Sequence, residues 1–142
     1  MEQPHFKDHF SQQSQDYALF RPHYPDALGK LLAELSPSTK LAVDVGCGSG
    51  QLSEVLANYF DQVIAIDASA EQLAQAKPHP KIQYGQAFAE EIPCADQSID
   101  LISVAQAAHW LDLEKFYAEV RRIAKPKAIL ALISYGVFSV DE

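Results

Sequence analysis

Apolar positions along this chain switch between two periods, 3.6 and short continuous runs. Leu28, Leu31, Leu32 and Leu35 recur at i, i+3, i+4 and i+7, which is one helical face. Pro25 suits the first turn of that helix, and Ser36-Pro37-Ser38 ends it. Leu41-Ala42-Val43-Asp44-Val45 then predicts a buried strand. Leu52, Val55, Leu56 and Tyr59 return to helical spacing, and Val63-Ile64-Ala65-Ile66-Asp67 predicts a second strand. Ser69-Ala70-Glu71-Gln72 has the form of a capping box, with Ser69 capping and the Gln72 side chain reaching back. The short helix it opens runs to Ala76 and is stopped by Pro78 and Pro80. Lys81 to Gly85 and Ile99 to Ala105 predict a third and a fourth strand. Leu113, Phe116, Tyr117, Val120, Ile123 and Ala124 mark an amphipathic helix that Lys125-Pro126 ends. Ala128 to Tyr135 predicts a fifth strand, apolar nearly throughout.

Apolar strands alternating with amphipathic helices imply an α/β fold whose parallel sheet is covered on both faces. Right-handed crossovers then make it an open, doubly wound sheet of five strands. Residues 1–38 form an N-terminal helical cap segment on a core of residues 39–142, one domain together. The fifth strand leaves an apolar edge that calls for a cover. The expectation is that further C-terminal strands are missing, or that a second copy pairs along this edge as a homodimer.

Composition narrows the function. The chain has 142 residues, a net charge of -8, 48% hydrophobic and 21% charged residues, as a folded globular domain does. An acidic chain with one small basic cluster, Arg121-Arg122 with Lys125 and Lys127, points away from nucleic acid and toward a small-molecule partner. That cluster reads as a solvated helix face. No apolar run is long enough to span a bilayer, and the first residues carry no apolar signal core, so the expected location is the cytoplasm with no membrane partner. Cys47 and Cys94 form no disulfide framework and read as reduced thiols.

The chemistry gathers at the end of the first strand, where open α/β sheets bind ligands. Gly46, Gly48 and Gly50 make G-x-G-x-G. Glycines there allow a sharp turn and close approach of a ligand, and N–H groups at the next helix start favour a negatively charged group. A dinucleotide fingerprint would place a third glycine where Gln51 stands, and would keep apolar the position of Asp44. Asp44 can accept hydrogen bonds from a ligand ammonium or from the loop's own N–H groups. Asp67, one strand over, can accept two hydrogen bonds from a ribose diol. The same sheet leaves two rivals open: a nicotinamide-dependent oxidoreductase, and a truncated or degenerate domain that binds cofactor or pairs with another chain without turnover.

These segments, with Ala89-Glu90-Glu91-Ile92-Pro93, Ser98-Ile99-Asp100-Leu101 and Leu113 to Pro126, resemble class I S-adenosylmethionine-dependent methyltransferases of Rossmann-like fold. The similarity covers residues 39 to 138 in order. Ala105-Gln106-Ala107-Ala108-His109-Trp110-Leu111-Asp112 and the aromatic stretch Tyr17 to Pro25 are similar to the small-molecule, trans-aconitate methyltransferase-like branch. The resemblance implies S-adenosyl-L-methionine as cofactor and methyl transfer to a small-molecule acceptor by in-line displacement. It implies that Asp44, Gly46, Gly48 and Gly50 hold the methionine half and Asp67 the ribose hydroxyls. Ala89 and Glu90 would lie beside the adenine, and Gln106 would face the sulfonium. Tyr17 and Arg21 would reach the cofactor from the cap. Phe88 departs from the family pattern, which carries an Asp there. Pro126-Lys127-Ala128 departs from its usual Pro-Gly-Gly, and the resemblance leads one to expect sixth and seventh strands after the fifth.

Other candidates are weaker. His5 and His9 have i, i+4 spacing but no third metal ligand nearby. Cys47 has no base beside it to make it a nucleophile. His109 could accept a proton at the acceptor pocket, with Trp110 shaping it; packing of the pair against the cap is the plain alternative.

Overall fold

In the computed structural model, which describes residues 23–105 and 112–133, the alternation takes a definite form. The elements are α1 (Asp26–Leu35), β1 (Leu41–Val45), α2 (Gln51–Leu56), β2 (Gln62–Asp67), α3 (Ala70–Ala74), β3 (Ile82–Gln86), β4 (Ile99–Ala105), α4 (Leu113–Ile123) and β5 (Ala124–Ile133). The strands form one sheet in the order β3-β2-β1-β4-β5, with every neighbouring pair parallel. The chain therefore starts in the middle, winds outward through β2 and β3, and returns to wind the other way through β4 and β5. The reversal between β1 and β4 is the switch point at which such sheets open a crevice.

Both faces of the central strands are buried, which is why their sequences run apolar instead of alternating. On one face Ala42, Val63, Ala65 and Leu101 pack with Leu52, Leu56 and Phe60. On the other, Val43, Val45, Ile66, Ile102 and Val104 pack with Ile92, Phe116 and Ile123. Helix α1 lies on α2 through Gly29, where a Cβ would come within 2.7 Å of Val55 Cγ1. That contact corrects the expected leucine face. Leu32 is buried, but Leu31 and Leu35 are 51% and 54% exposed, because α1 turns its glycine side to its neighbour.

The amino ends of the strands are tied by Asp100, a buried carboxylate on β4. It accepts the Ser38 hydroxyl (2.6 Å), the N–H groups of Lys40 and Leu41 (3.0 Å each), and pairs with Lys125 Nζ at 3.0 Å. Burial pushes its pKa up, but these hydrogen bonds and the Lys125 charge outweigh it and hold the carboxyl below its ordinary value.

Strand β5 starts earlier than its apolar run suggests, following α4 directly at Ala124. Its pairing with β4 shifts register between Ile99 and Leu101, and Lys127 takes a φ of 68°. This is the turn at which the family resemblance leads one to expect glycine. Among the described residues no helix is long and apolar enough to cross a membrane.

Candidate functional site

The loop between β1 and α2 sits at the carboxyl end of the sheet, beside the switch point. Gly46, Gly48 and Gly50 have φ of 67°, 60° and 94°, so the G-x-G-x-G spacing is a run of alternate left-handed residues. Cys47 N–H donates to Ile66 O at 2.9 Å, continuing the β1–β2 ladder into the loop. A Cβ at Gly50 would collide with the hydroxyl of Tyr84. Tyr84 lies in register with Ala65, which lies in register with Asp44, so the small Ala65 leaves room for the tyrosine ring on that face.

Asp67 at the end of β2 faces the loop, as expected. The Gly48 N–H donates to its Oδ2 and the Ser69 N–H to its Oδ1, each at 2.8 Å. Burial raises its pKa, and the two backbone N–H groups oppose that rise. The carboxylate is thus locked in orientation by the loop and by the start of α3.

Asp44 is held by partners that come from other elements. Its expected partners were a ligand ammonium or the loop N–H groups. It is 1% exposed, and both oxygens take serine hydroxyls: Ser53 donates to Oδ2 at 2.6 Å and Ser103 to Oδ1 at 3.1 Å. Register explains this, since Asp44 and Ser103 are cross-strand partners and Ser53 comes down from the first turn of α2. Burial drives the Asp44 pKa up to about 6; the two hydroxyls lower it, and the Asp67 charge adds to the rise. Neither serine carries a local signal, because Ser53 meets Asp44 only once α2 packs on β1, and Ser103 only once β4 lies beside it.

The connection from β3 to β4 is irregular but firmly held. Ala87 N–H donates to Asp67 O at 3.1 Å, which brings this segment to the end of β2. Ala89 is buried against the second core face. The Glu90 side chain accepts the Asp112 N–H at 2.8 Å, so it ties the segment to the start of α4. Arg122, on α4, donates to Ile92 O (2.7 Å), Cys94 O (2.8 Å), Asp96 (2.9 Å) and Glu119 (2.9 Å), while Glu119 accepts the Ile92 N–H at 2.8 Å. The basic cluster is a solvated face only in part: Arg121 and Lys127 are exposed, while Arg122 and Lys125 pair with carboxylates and tie segments together. The capping box forms by half. Ser69 accepts the Gln72 N–H at 3.2 Å, but the Gln72 side chain turns into the interior, 4% exposed.

Two exclusions follow. The Cys47 thiol is pushed far up by burial and then by the Asp44 and Asp67 charges, so it is no nucleophile near neutral pH. Among the described residues no group of three metal-ligating side chains comes together. Tyr17, Arg21, Gln106, His109 and Trp110, and the His5–His9 pair, lie outside the described residues.

A family model described as a methyltransferase domain matches residues 43–132. The chain belongs to that methyltransferase family. A Dictyostelium discoideum protein named as a methyltransferase is 38% identical over 95% of this chain and 52% of its own length. A Saccharomyces cerevisiae protein whose name includes S-adenosylmethionine-dependent methyltransferase is 31% identical over 87% of this chain and 45% of its own length. The solved structure of a type II methyltransferase from Anaeromyxobacter dehalogenans superposes with a TM-score of 0.79 at 45% identity, covering 82% of this chain and 50% of that one. This methyltransferase chain thus spans about half the length of the relatives it matches. Its placement holds at the level of the methyltransferase domain, not of a branch within it.

Proposed function

We propose that the crevice binds S-adenosylmethionine and that the chain serves methyl transfer to a small-molecule acceptor. The observation that carries this reading is the state of Asp67. Each carboxylate oxygen can accept about two hydrogen bonds. Each Asp67 oxygen accepts one backbone N–H, which leaves a lone pair on each for a vicinal diol such as ribose. Gly48 keeps a side chain out of the approach, and a Cβ there would meet only Gln72 Oε1, at 3.6 Å. Asp44 and Asp67 together make a pyrophosphate costly here and favour a cationic donor, which weighs against a nicotinamide dinucleotide. The donor set therefore fits this cofactor.

When bound, S-adenosylmethionine supplies an already activated methyl group on sulfur, transferred in line to the acceptor. The protein's work is to hold the donor end and keep it oriented. Asp67 and the Gly46–Gly50 loop do so at the ribose and methionine side, and Ala89 with its neighbours forms the adenine side. A small acceptor is supported by the acidic chain and by the internal use of Arg122 and Lys125, which removes much of the basic surface that a nucleic acid would need.

Calorimetric titration with S-adenosylhomocysteine tests the reading. Binding by the unaltered chain is expected, with Asp67→Ala weakening it about ten- to hundredfold, the effect of removing hydrogen bonds to a charged group. Protection by a nicotinamide dinucleotide and none by S-adenosylhomocysteine would overturn it.

A further inference from the structure

We propose that Gln72 is a further donor-binding residue, its side-chain carbonyl accepting a ribose hydroxyl of the ligand beside Asp67. The inference rests on the cofactor reading above, and its observation is independent of Asp67.

The backbone of Gln72 is accounted for, since its N–H donates to the Ser69 hydroxyl at 3.2 Å. The side chain is not. It is 4% exposed, and its Oε1 is buried with no hydrogen-bond partner. Buried polar atoms in native folds are nearly always paired, so an orphaned carbonyl marks a place where a donor is missing. Position identifies the donor. Gln72 Oε1 lies 3.6 Å from where a Cβ of Gly48 would stand, while the N–H of the same Gly48 donates to Asp67 Oδ2 at 2.8 Å. Two acceptor groups, one charged and one neutral, thus flank one glycine of the cofactor loop.

Among the groups of the proposed cofactor, the ribose hydroxyls are the donors that Asp67 would bring to this spot. Each Asp67 oxygen keeps one lone pair for the diol, and Gln72 Oε1 adds a neutral acceptor beside them. A neutral amide does this without adding negative charge beside Asp44 and Asp67, whose pKa values are already raised by burial. The last torsion of a glutamine is broad, and Gly48 has no side chain to wall the oxygen off, so a small rotation presents it to the crevice. The capping-box pattern at Ser69–Gln72 is thereby reassigned: the serine keeps its cap, and the glutamine faces the ligand.

The test is titration of the unaltered chain and of Gln72→Met with S-adenosylhomocysteine and with its 2′-deoxy and 3′-deoxy counterparts. Methionine matches the glutamine in length and removes the acceptor. Gln72→Met is expected to weaken S-adenosylhomocysteine about tenfold, the scale of one hydrogen bond with its partner left unpaired. The loss should shrink for whichever deoxy ligand lacks the recognised hydroxyl. The melting temperature of the ligand-free variant should hold or rise, because an unpaired buried carbonyl is gone. Gln72→Glu, which keeps acceptor oxygens at the same reach, gives a second reading and should keep the discrimination between ribose and deoxyribose ligands. Equal affinity of Gln72→Met and the unaltered chain overturns the proposal, as does an equal loss for all three ligands, which would mean that only shape matters. Failure of the unaltered chain to bind any of the three overturns the cofactor reading itself and this inference with it, a result distinct from the others.

Discussion

Asp44 shows how far a single residue can be read before its neighbours are known. Its place two residues before Gly46 marks it as part of the loop chemistry, and that much is local. Its partners, Ser53 and Ser103, come from another helix and another strand, so the choice between ligand contact and internal brace was open. Its burial has a consequence for stability. The folded pKa lies near 6 against an ordinary 3.8, so between those values the folded chain holds a proton that the unfolded chain has released. This stabilisation is complete below pH 3.8 and is lost as the pH rises through about 6. It amounts to about 3 kcal/mol. Comparing the unaltered chain with Asp44→Asn, which does not titrate, isolates it. Urea unfolding across pH 4 to 7 should show the stability difference moving against the unaltered chain by about that amount. A flat difference would mean that Asp44 titrates like an ordinary carboxylate.

Elements were legible where hydrophobic period was long and clear, as in α4 and β4, and less so at their ends. The stretch predicted to end at Ala76 stops at Ala74, and β5 begins at Ala124 before its apolar run does. The second difference comes from pairing with β4, which extends the strand through Pro126 and Lys127 and bends it there. Lys127 sits at a φ of 68°, where an L side chain costs about 1–2 kcal/mol. Lys127→Gly should therefore raise stability by about 0.5–1 kcal/mol in urea unfolding, after the glycine's greater freedom in the unfolded chain is counted. The β3–β4 connection makes a different point, since it has no period to read and is held from outside by α4. Arg122→Ala would leave Ile92 O and Cys94 O without their donor and Glu119 without its charge partner. Stability in urea unfolding is expected to fall. Hydrogen exchange should show the Ile92 amide, which donates to Glu119, exchanging faster.

At the scale of the molecule, the order β3-β2-β1-β4-β5 does two things at once. At the carboxyl ends it sets the glycine loop beside Asp67 and opens the crevice. At the amino ends it brings Asp100 to Ser38, Lys40, Leu41 and Lys125, residues far away in sequence, and so locks the two halves of the winding together. Asp100→Ala would remove the buried carboxylate and strand its donors. A cost of about 1–3 kcal/mol is expected in urea unfolding, the scale of buried donors left without their acceptor. A cost near zero would show that the β1–β4–β5 alignment is set by apolar packing alone.

By itself the sequence determined the alternation of strands and helices, the loop with its three glycines, and the placing of Asp67 at a strand end. These depend on period and on residues close in the chain, and period is a local property. Only the tertiary structure decided what Asp44 is bonded to, that Arg122 and Lys125 brace the interior, that Glu90 ties its segment to α4, and that Gln72 turns a bare oxygen toward the glycine loop. Each of those is a pairing across the sheet or between a helix and a distant segment. Such pairings follow from register and crossover, which a one-dimensional pattern does not contain.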